Sequence, residues 1–150
     1  MSQRAPTPDL SQFLCFDFGL KRIGVASGQR ITGTASPLEV IAVGAGDGHW
    51  QRIELLLGKW QPHALVVGVP LTVPGESQPM TRAARRFAED LRSRSGLPVF
   101  EADERFSSRE AQARFRQQRQ AGAARQRAAR LEDAVAAQVI LEGWFAELST

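Results

Sequence analysis

An α/β fold is predicted, built on a mixed five-stranded sheet whose first three strands are antiparallel and whose later strands are parallel, with helices on both faces. Three observations predict it. Phe13 to Phe16 and Ala64 to Val67 are apolar at every position, as in strands covered on both sides by other layers. The early β-prone segments follow one another with no helical pattern between them, whereas the later ones alternate with helices, which calls for parallel pairing and right-handed crossovers. A length of 150 residues with 43% apolar side chains suits one core and is short for two.

Element by element, Phe13 to Phe16 ends in Asp17, and Gly19 lets the chain turn into a second β segment from Ile23 to Ala26, close enough to form a hairpin. Ile31 to Val43 is rich in β-branched residues and predicts a third strand, interrupted at Pro37. After the loop GAGDG, the recurrence of Trp50, Ile53, Leu57 and Trp60 predicts a helix. His63 to Val69 predicts a buried strand stopped by Pro70, and Leu71 to Gln78 a loop. Met80, Ala84, Phe87 and Leu91 then share one face of a second helix, which Gly96 and Pro98 end, and Val99 to Asp103 predicts the last strand. Ser107-Ser-Arg-Glu110 has capping-box spacing, so a third helix is expected to start there. The Ala, Gln and Arg-rich run that follows is low in complexity, and a last apolar helix is expected from Glu132 through Phe145. Residues 1–12 are expected to be a disordered tail and 13–150 a single domain.

Charge points to the partner class. The net charge is only +3, but Arg105, Arg109, Arg114, Arg116, Arg119, Arg125, Arg127 and Arg130 form a basic stripe opposed in that interval only by Glu110. Guanidinium forks match phosphate oxygens in pairs, so the stripe is the electrostatic footprint of a nucleic-acid ligand, the other reading being a solvated helix face. No apolar run reaches the roughly 20 residues of a membrane span, and the first residues have no apolar signal core, so a cytoplasmic protein without a membrane partner is expected. The single cysteine, Cys15, falls in a buried strand and reads as a small core thiol.

The chemistry lies in three acids. Asp17 ends the first strand and Asp103-Glu104 the fifth, at the carboxyl edge where such sheets place their sites. Asp133 shares a helical stripe with Ala137, Ile140 and Trp144, so it should point toward the sheet, although an acid in a first helical turn also complements the helix dipole. Each alone has a structural reading as well, Asp17 as a partner of Arg22 and Glu104 as a partner of Arg105. Together they would repel one another unless a cation sat among them, and an all-oxygen set suits Mg²⁺ or Mn²⁺. Two such ions can stabilise both the attacking water and the leaving oxygen of a phosphodiester. His49 and His63 lack ligand spacing and read as surface residues near helix ends.

DFGLKRIGVA, VVGVPLTVPGE, DERFSS and LEDAVAAQVIL stand in the order seen in the YqgF (RuvX) family, which the chain resembles from about Phe13 to Phe145. The resemblance implies an RNase H-like fold related to the Holliday junction resolvase RuvC, and a nuclease that processes the 5′ end of pre-16S ribosomal RNA. By similarity Asp17 matches the first-strand aspartate, Glu104 the acid of the DER motif and Asp133 the aspartate of the final helix. RuvC-type resolvases carry an acid at the end of the fourth strand, where this chain has Gly68-Val69-Pro70. Glu104 would substitute from the neighbouring strand, with Glu132 or Asp103 as candidate helpers.

The expectation is therefore a metal-dependent endonuclease in which Asp17, Glu104 and Asp133 hold Mg²⁺ or Mn²⁺. Lys21, Arg22 and Arg105 would contact phosphates near the cut, and Arg109, Arg114, Arg119, Arg125, Arg127 and Arg130 the flanking backbone. The substrate would be a ribosomal RNA precursor, with the ribosome as a further partner. A junction-resolving DNA nuclease and a non-catalytic ribosome-assembly protein are the alternatives, because phosphate contacts contain no base information. Monomer and homodimer are both open.

Overall fold

Alternating apolar patterns become two packed faces of one sheet in the computed structural model, which describes residues 10–70, 79–104 and 125–148, the side chains of the last segment from 132 onward. The strands are β1 (Gln12–Phe18), β2 (Arg22–Gln29), β3 (Thr34–Ala42), β4 (Ala64–Val69) and β5 (Val99–Asp103). The helices are α1 (Gly48–Trp60), α2 (Pro79–Ser95) and α3 (Arg125–Leu148). The spatial order is β3-β2-β1-β4-β5, antiparallel across β3, β2 and β1 and parallel across β1, β4 and β5. This is the predicted architecture, an open mixed sheet of the RNase H-like kind.

Side chains that alternate along β1 divide between the two layers. Leu14 and Phe16 join Ile23, Val25, Leu65 and Val67 under α1 and α2, which contribute Ile53, Leu56, Phe87 and Leu91. Phe13 and Cys15 join Ala26, Val66 and Ala102 under α3, which contributes Ala137, Ile140, Leu141, Trp144 and Phe145. Phe13 meets the rings of Trp144 and Phe145 edge-on at 5.5 and 5.4 Å. α3 also reaches edge strand β3, where Gln138 donates to the Ala35 carbonyl and the Ala35 N–H donates to Glu142. Those two bonds occupy backbone groups that an edge would otherwise present to another chain.

Three local readings differ from expectation. Pro37 does not interrupt the third strand. It pairs with Ala26 beside a register shift at Val25/Ala26, and an edge strand with a bulge accommodates the missing N–H. The last helix begins at Arg125 rather than Glu132. His49 is partly buried rather than on the surface, while exposed His63 accepts at Nδ1 from the backbone N–H groups of Ser11 and Gln12. Of the expected tail, residues 1–9 lie outside the described residues, Leu10 packs on the α3-side core and Gln12 opens β1. The expected loop 71–78 and the expected helix start at Ser107 also lie outside them. No described helix is long and apolar enough to cross a membrane.

Candidate active site

Asp17 is the sixth residue of β1, and the strand alternation that sends Phe16 and Phe18 toward α1 and α2 turns it to the α3 side. Its register partners are Gly24 in β2 and Gly68 in β4, so no side chain flanks it on either neighbouring strand. Both glycines mark close approaches. A Cβ on Gly24 would lie 1.9 Å from the Asp133 carbonyl oxygen and 2.9 Å from the Ala134 nitrogen, which means that the α3 backbone rests on the sheet at this point. A Cβ on Gly68 would lie 3.2 Å from both Cγ and Oε1 of Glu104 and 2.8 Å from Cδ1 of Ile140. The two glycines form the recess into which Glu104 and Asp133 enter. Sequence reasoning missed them, although a glycine inside a strand is a signal of close backbone approach.

The three acids share one electrostatic environment. Burial first, then a hydrogen bond and charge from Glu104, then the charge of Asp133, push the Asp17 carboxyl well above the usual carboxylate range. The neutral form of Asp17 is the one that burial and its contact with Glu104 favour. Burial, with the charges of Asp17 and Glu104 added, also pushes the Cys15 thiol up, which makes Cys15 a poor nucleophile and fits its reading as a core thiol.

Asp133 is held differently. Its Oδ2 lies 2.9 Å from Nε of Arg22, in a pair that is 65% exposed on the arginine side and 32% on the aspartate side. Arg22 was expected beside Asp17 or a phosphate. It reaches Asp133 because β2 begins beneath the third turn of α3, and because α3 starts eight residues before Asp133 the helix dipole does not account for that acid. Among the described residues, no three His, Cys, Asp or Glu side chains are grouped so that they could hold a metal ion as they stand.

Lys21 and Arg22 line an open depression with Gly19, Leu20, Met80 and Asp133, so two of the expected phosphate contacts border one of the three acids. Arg105, Arg109, Arg114 and Arg119 lie outside the described residues, and Arg125, Arg127 and Arg130 fall within α3 where side chains are not described. Of the two candidate helpers, Glu132 is exposed, and Asp103 is partly buried on edge strand β5 opposite Val69.

Comparison with known proteins identifies the family and the fold. A family model described as RuvX, Holliday junction resolvase, matches residues 11–147. A curated protein of Yersinia pestis (strain Pestoides F), named "Putative pre-16S rRNA nuclease", is 46% identical over 134 residues, 89% of this chain and 94% of its own. Among solved structures, the Fowlpox virus resolvase in complex with Holliday junction DNA aligns with a TM-score of 0.59 at 12% identity, covering 93% of this chain and 99% of its own. The T. thermophilus RuvC complex with a Holliday junction substrate aligns at 0.50 and 15%, covering 93% and 97%. At those identities the two structures speak for the fold.

Proposed function

The chain belongs to the RuvX family, and from that membership we propose that it is a divalent-metal-dependent endonuclease that cuts a ribosomal RNA precursor at the 5′ side of 16S. The single observation that supports the site best is the convergence of carboxyl groups from three elements around Asp17, where burial and then the neighbouring Glu104 and Asp133 push its carboxyl up. Structures do not accumulate carboxylates at one buried point for stability, and perturbed acids cluster at functional sites.

The residues fit a hard cation. All three donors are carboxylate oxygens, the class Mg²⁺ and Mn²⁺ prefer, and a cation bound among them would offset the repulsion that pushes the Asp17 carboxyl up. Asp17 and Glu104 would hold the ion, and Asp133 would join them by exchanging Arg22 for it. The cation, when bound, supplies activation of water and neutralisation of charge at the phosphate. Arg22, released from Asp133, and Lys21 would bind the phosphate next to the cut, while the arginines from Arg105 to Arg130 would hold the flanking backbone. The family description also keeps a four-way DNA junction as a second reading of the substrate.

Opposite effects with and without metal test the site. For an acid whose folded pKa is raised, stability is greatest below the unfolded value near 3.8 and declines as pH rises toward the folded value. At neutral pH, Asp17→Asn should therefore raise the melting temperature of metal-free protein by a few degrees, roughly 2–4 °C per kcal/mol of repulsion removed. In the parent, Mg²⁺ or Mn²⁺ at about 100 times its dissociation constant should stabilise by roughly 2.7 kcal/mol, and the variant should lose that response. Loss of stability in the variant with an unchanged metal response would make Asp17 a structural turn residue.

The arginine stripe has its own readout. Changing Arg119, Arg125, Arg127 and Arg130 together to Gln should weaken RNA binding and flatten its salt dependence by about 0.7 log unit per lost contact on single strands. An unchanged slope, measured by titration at several salt concentrations, would place the binding surface elsewhere.

A further inference from the structure

The carboxyl edge of the sheet has a second neighbour besides α3. Met80, the second residue of α2, lines the same depression as Lys21, Arg22 and Asp133, so α2 starts beside that candidate acid. Leu20 borders this depression and also borders, with Ala83 and Arg86, the surface further along α2. One continuous surface therefore runs from Asp133, over the turn between β1 and β2, to the outer face of α2.

Charge along that surface is of one sign where α2 begins. Residues 79–88 contain Arg82, Arg85 and Arg86 and no carboxylate, and the acids Glu89 and Asp90 come only after them. Arg85 turns to β5, where it pairs with Glu101 at 3.3 Å. Arg82 and Arg86 are exposed and stand one turn apart on the outward face of the helix. Among the described residues neither Arg86 nor Lys21 is in an ion pair, and Lys21 is exposed as well. This placement works against the helix, because a cation in the first turn meets the positive end of the helix dipole and like charges four residues apart repel. An anion bound across the two guanidinium groups reverses both effects. Guanidinium forks match phosphate oxygens in pairs, and a nucleic-acid strand presents such oxygens in a row.

We infer that the outer face of α2 is a phosphate track, on which Arg82 and Arg86, with Lys21 at its head, hold the substrate strand on one side of the cut. The arginines of α3 belong to the opposite layer, since α2 and α3 pack on different faces of the sheet, and the acids lie at the edge between the two layers. The strand accordingly crosses the sheet edge from one basic surface to the other. The inference rests on the nuclease reading and adds the path that the substrate takes away from the acids. Contacts of this kind position the strand and leave its sequence unread.

Binding in Ca²⁺ buffer, read by fluorescence anisotropy at several salt concentrations, tests the track apart from cleavage. The probes are a labelled single-stranded RNA spanning the 5′ end of 16S and versions of it in which one linkage at a time is an uncharged methylphosphonate. Arg82→Gln combined with Arg86→Gln should flatten the salt dependence by about 1.4 log units, two contacts at about 0.7 each, and weaken binding on the order of ten-fold near 0.1 M salt. The melting temperature should hold or rise, because the change removes a first-turn cation and a like-charge pair. Arg82→Lys with Arg86→Lys should keep most of the salt dependence. Lys59→Gln removes one cation from the last turn of α1, beside the start of β1 and so at the far end of the sheet from Asp17, and should leave binding unchanged. Uncharged linkages should cost the parent affinity on both sides of the cut, whereas in the double Gln variant those on one side should cost nothing further. An unchanged slope in that variant, an equal loss with Lys59→Gln, or uncharged linkages that stay costly on both sides would overturn the inference. So would a loss of binding that lysine does not restore and that follows a fall in melting temperature. A parent that shows this track yet cuts neither RNA nor a four-way junction would instead sink the nuclease reading and leave the track standing.

Discussion

Gly24→Ala is expected to lower the melting temperature by roughly 10 °C and to abolish cleavage. The added Cβ would stand 1.9 Å from the Asp133 carbonyl oxygen and 2.3 Å from its carbon, and both atoms are helix backbone that cannot rotate aside. Relief requires α3 to lift from β2 at the turn that contains a candidate acid. Overpacking of this kind costs about 1–3 kcal/mol, and backbone on backbone belongs at the upper end, with each kcal/mol worth roughly 2–4 °C in a domain of this size. Gly68→Ala provides the contrast. Its nearest neighbour is Cδ1 of Ile140 at 2.8 Å, the end of a flexible side chain, followed by Glu104 at 3.2 Å. Stability should fall by about 1 kcal/mol or less, while displacement of Glu104 reduces cleavage. Thermal melts beside single-turnover cleavage check both variants, and a Gly24→Ala protein as stable as the parent would contradict the close contact between α3 and the sheet.

The second large effect concerns chemistry without loss of binding. Glu104→Gln and Asp133→Asn each keep shape and hydrogen-bonding capacity while removing one charge. Each should slow single-turnover cleavage on the order of 10²–10³-fold, the scale of losing one preorganised electrostatic partner of the reaction. RNA affinity in Ca²⁺ should stay within about two-fold, because the arginines proposed to supply most of the counterion release are untouched. Since the acids would act as one unit, the double variant should cost little more than either single one. Multiplicative losses would instead assign the two residues to separate tasks.

Much of this arrangement was legible in the residues. Continuous apolar runs placed β1 and β4, helical periodicity placed α1 and α2, and Asp17 and Glu104 fell at the carboxyl edge because strand ends are marked by where those runs stop. What escaped depends on tertiary contact. The start of α3 was hidden because RQRAAR lacks the apolar periodicity that marks a packed helix, so Asp133 was assigned to a first turn it does not occupy. The partner of Arg22 depended on how closely α3 approaches β2, which Gly24 permits at the turn that contains Asp133. Pro37 looked like a break because sequence does not show which strand will be an edge. His63 looked idle until β1 brought Ser11 and Gln12 to its ring.

Single-turnover incubation of the purified protein with end-labelled 16S precursor RNA tests the central claim most directly, with a four-way DNA junction in parallel and each substrate with and without Mn²⁺. The account predicts cleavage of the precursor that needs the metal and disappears in Glu104→Gln, while that variant still binds the RNA. Metal-dependent cutting of the junction alone would transfer the activity to DNA. Absence of metal-dependent cutting on either substrate, or a Glu104→Gln variant that cuts as fast as the parent, would contradict the nuclease account.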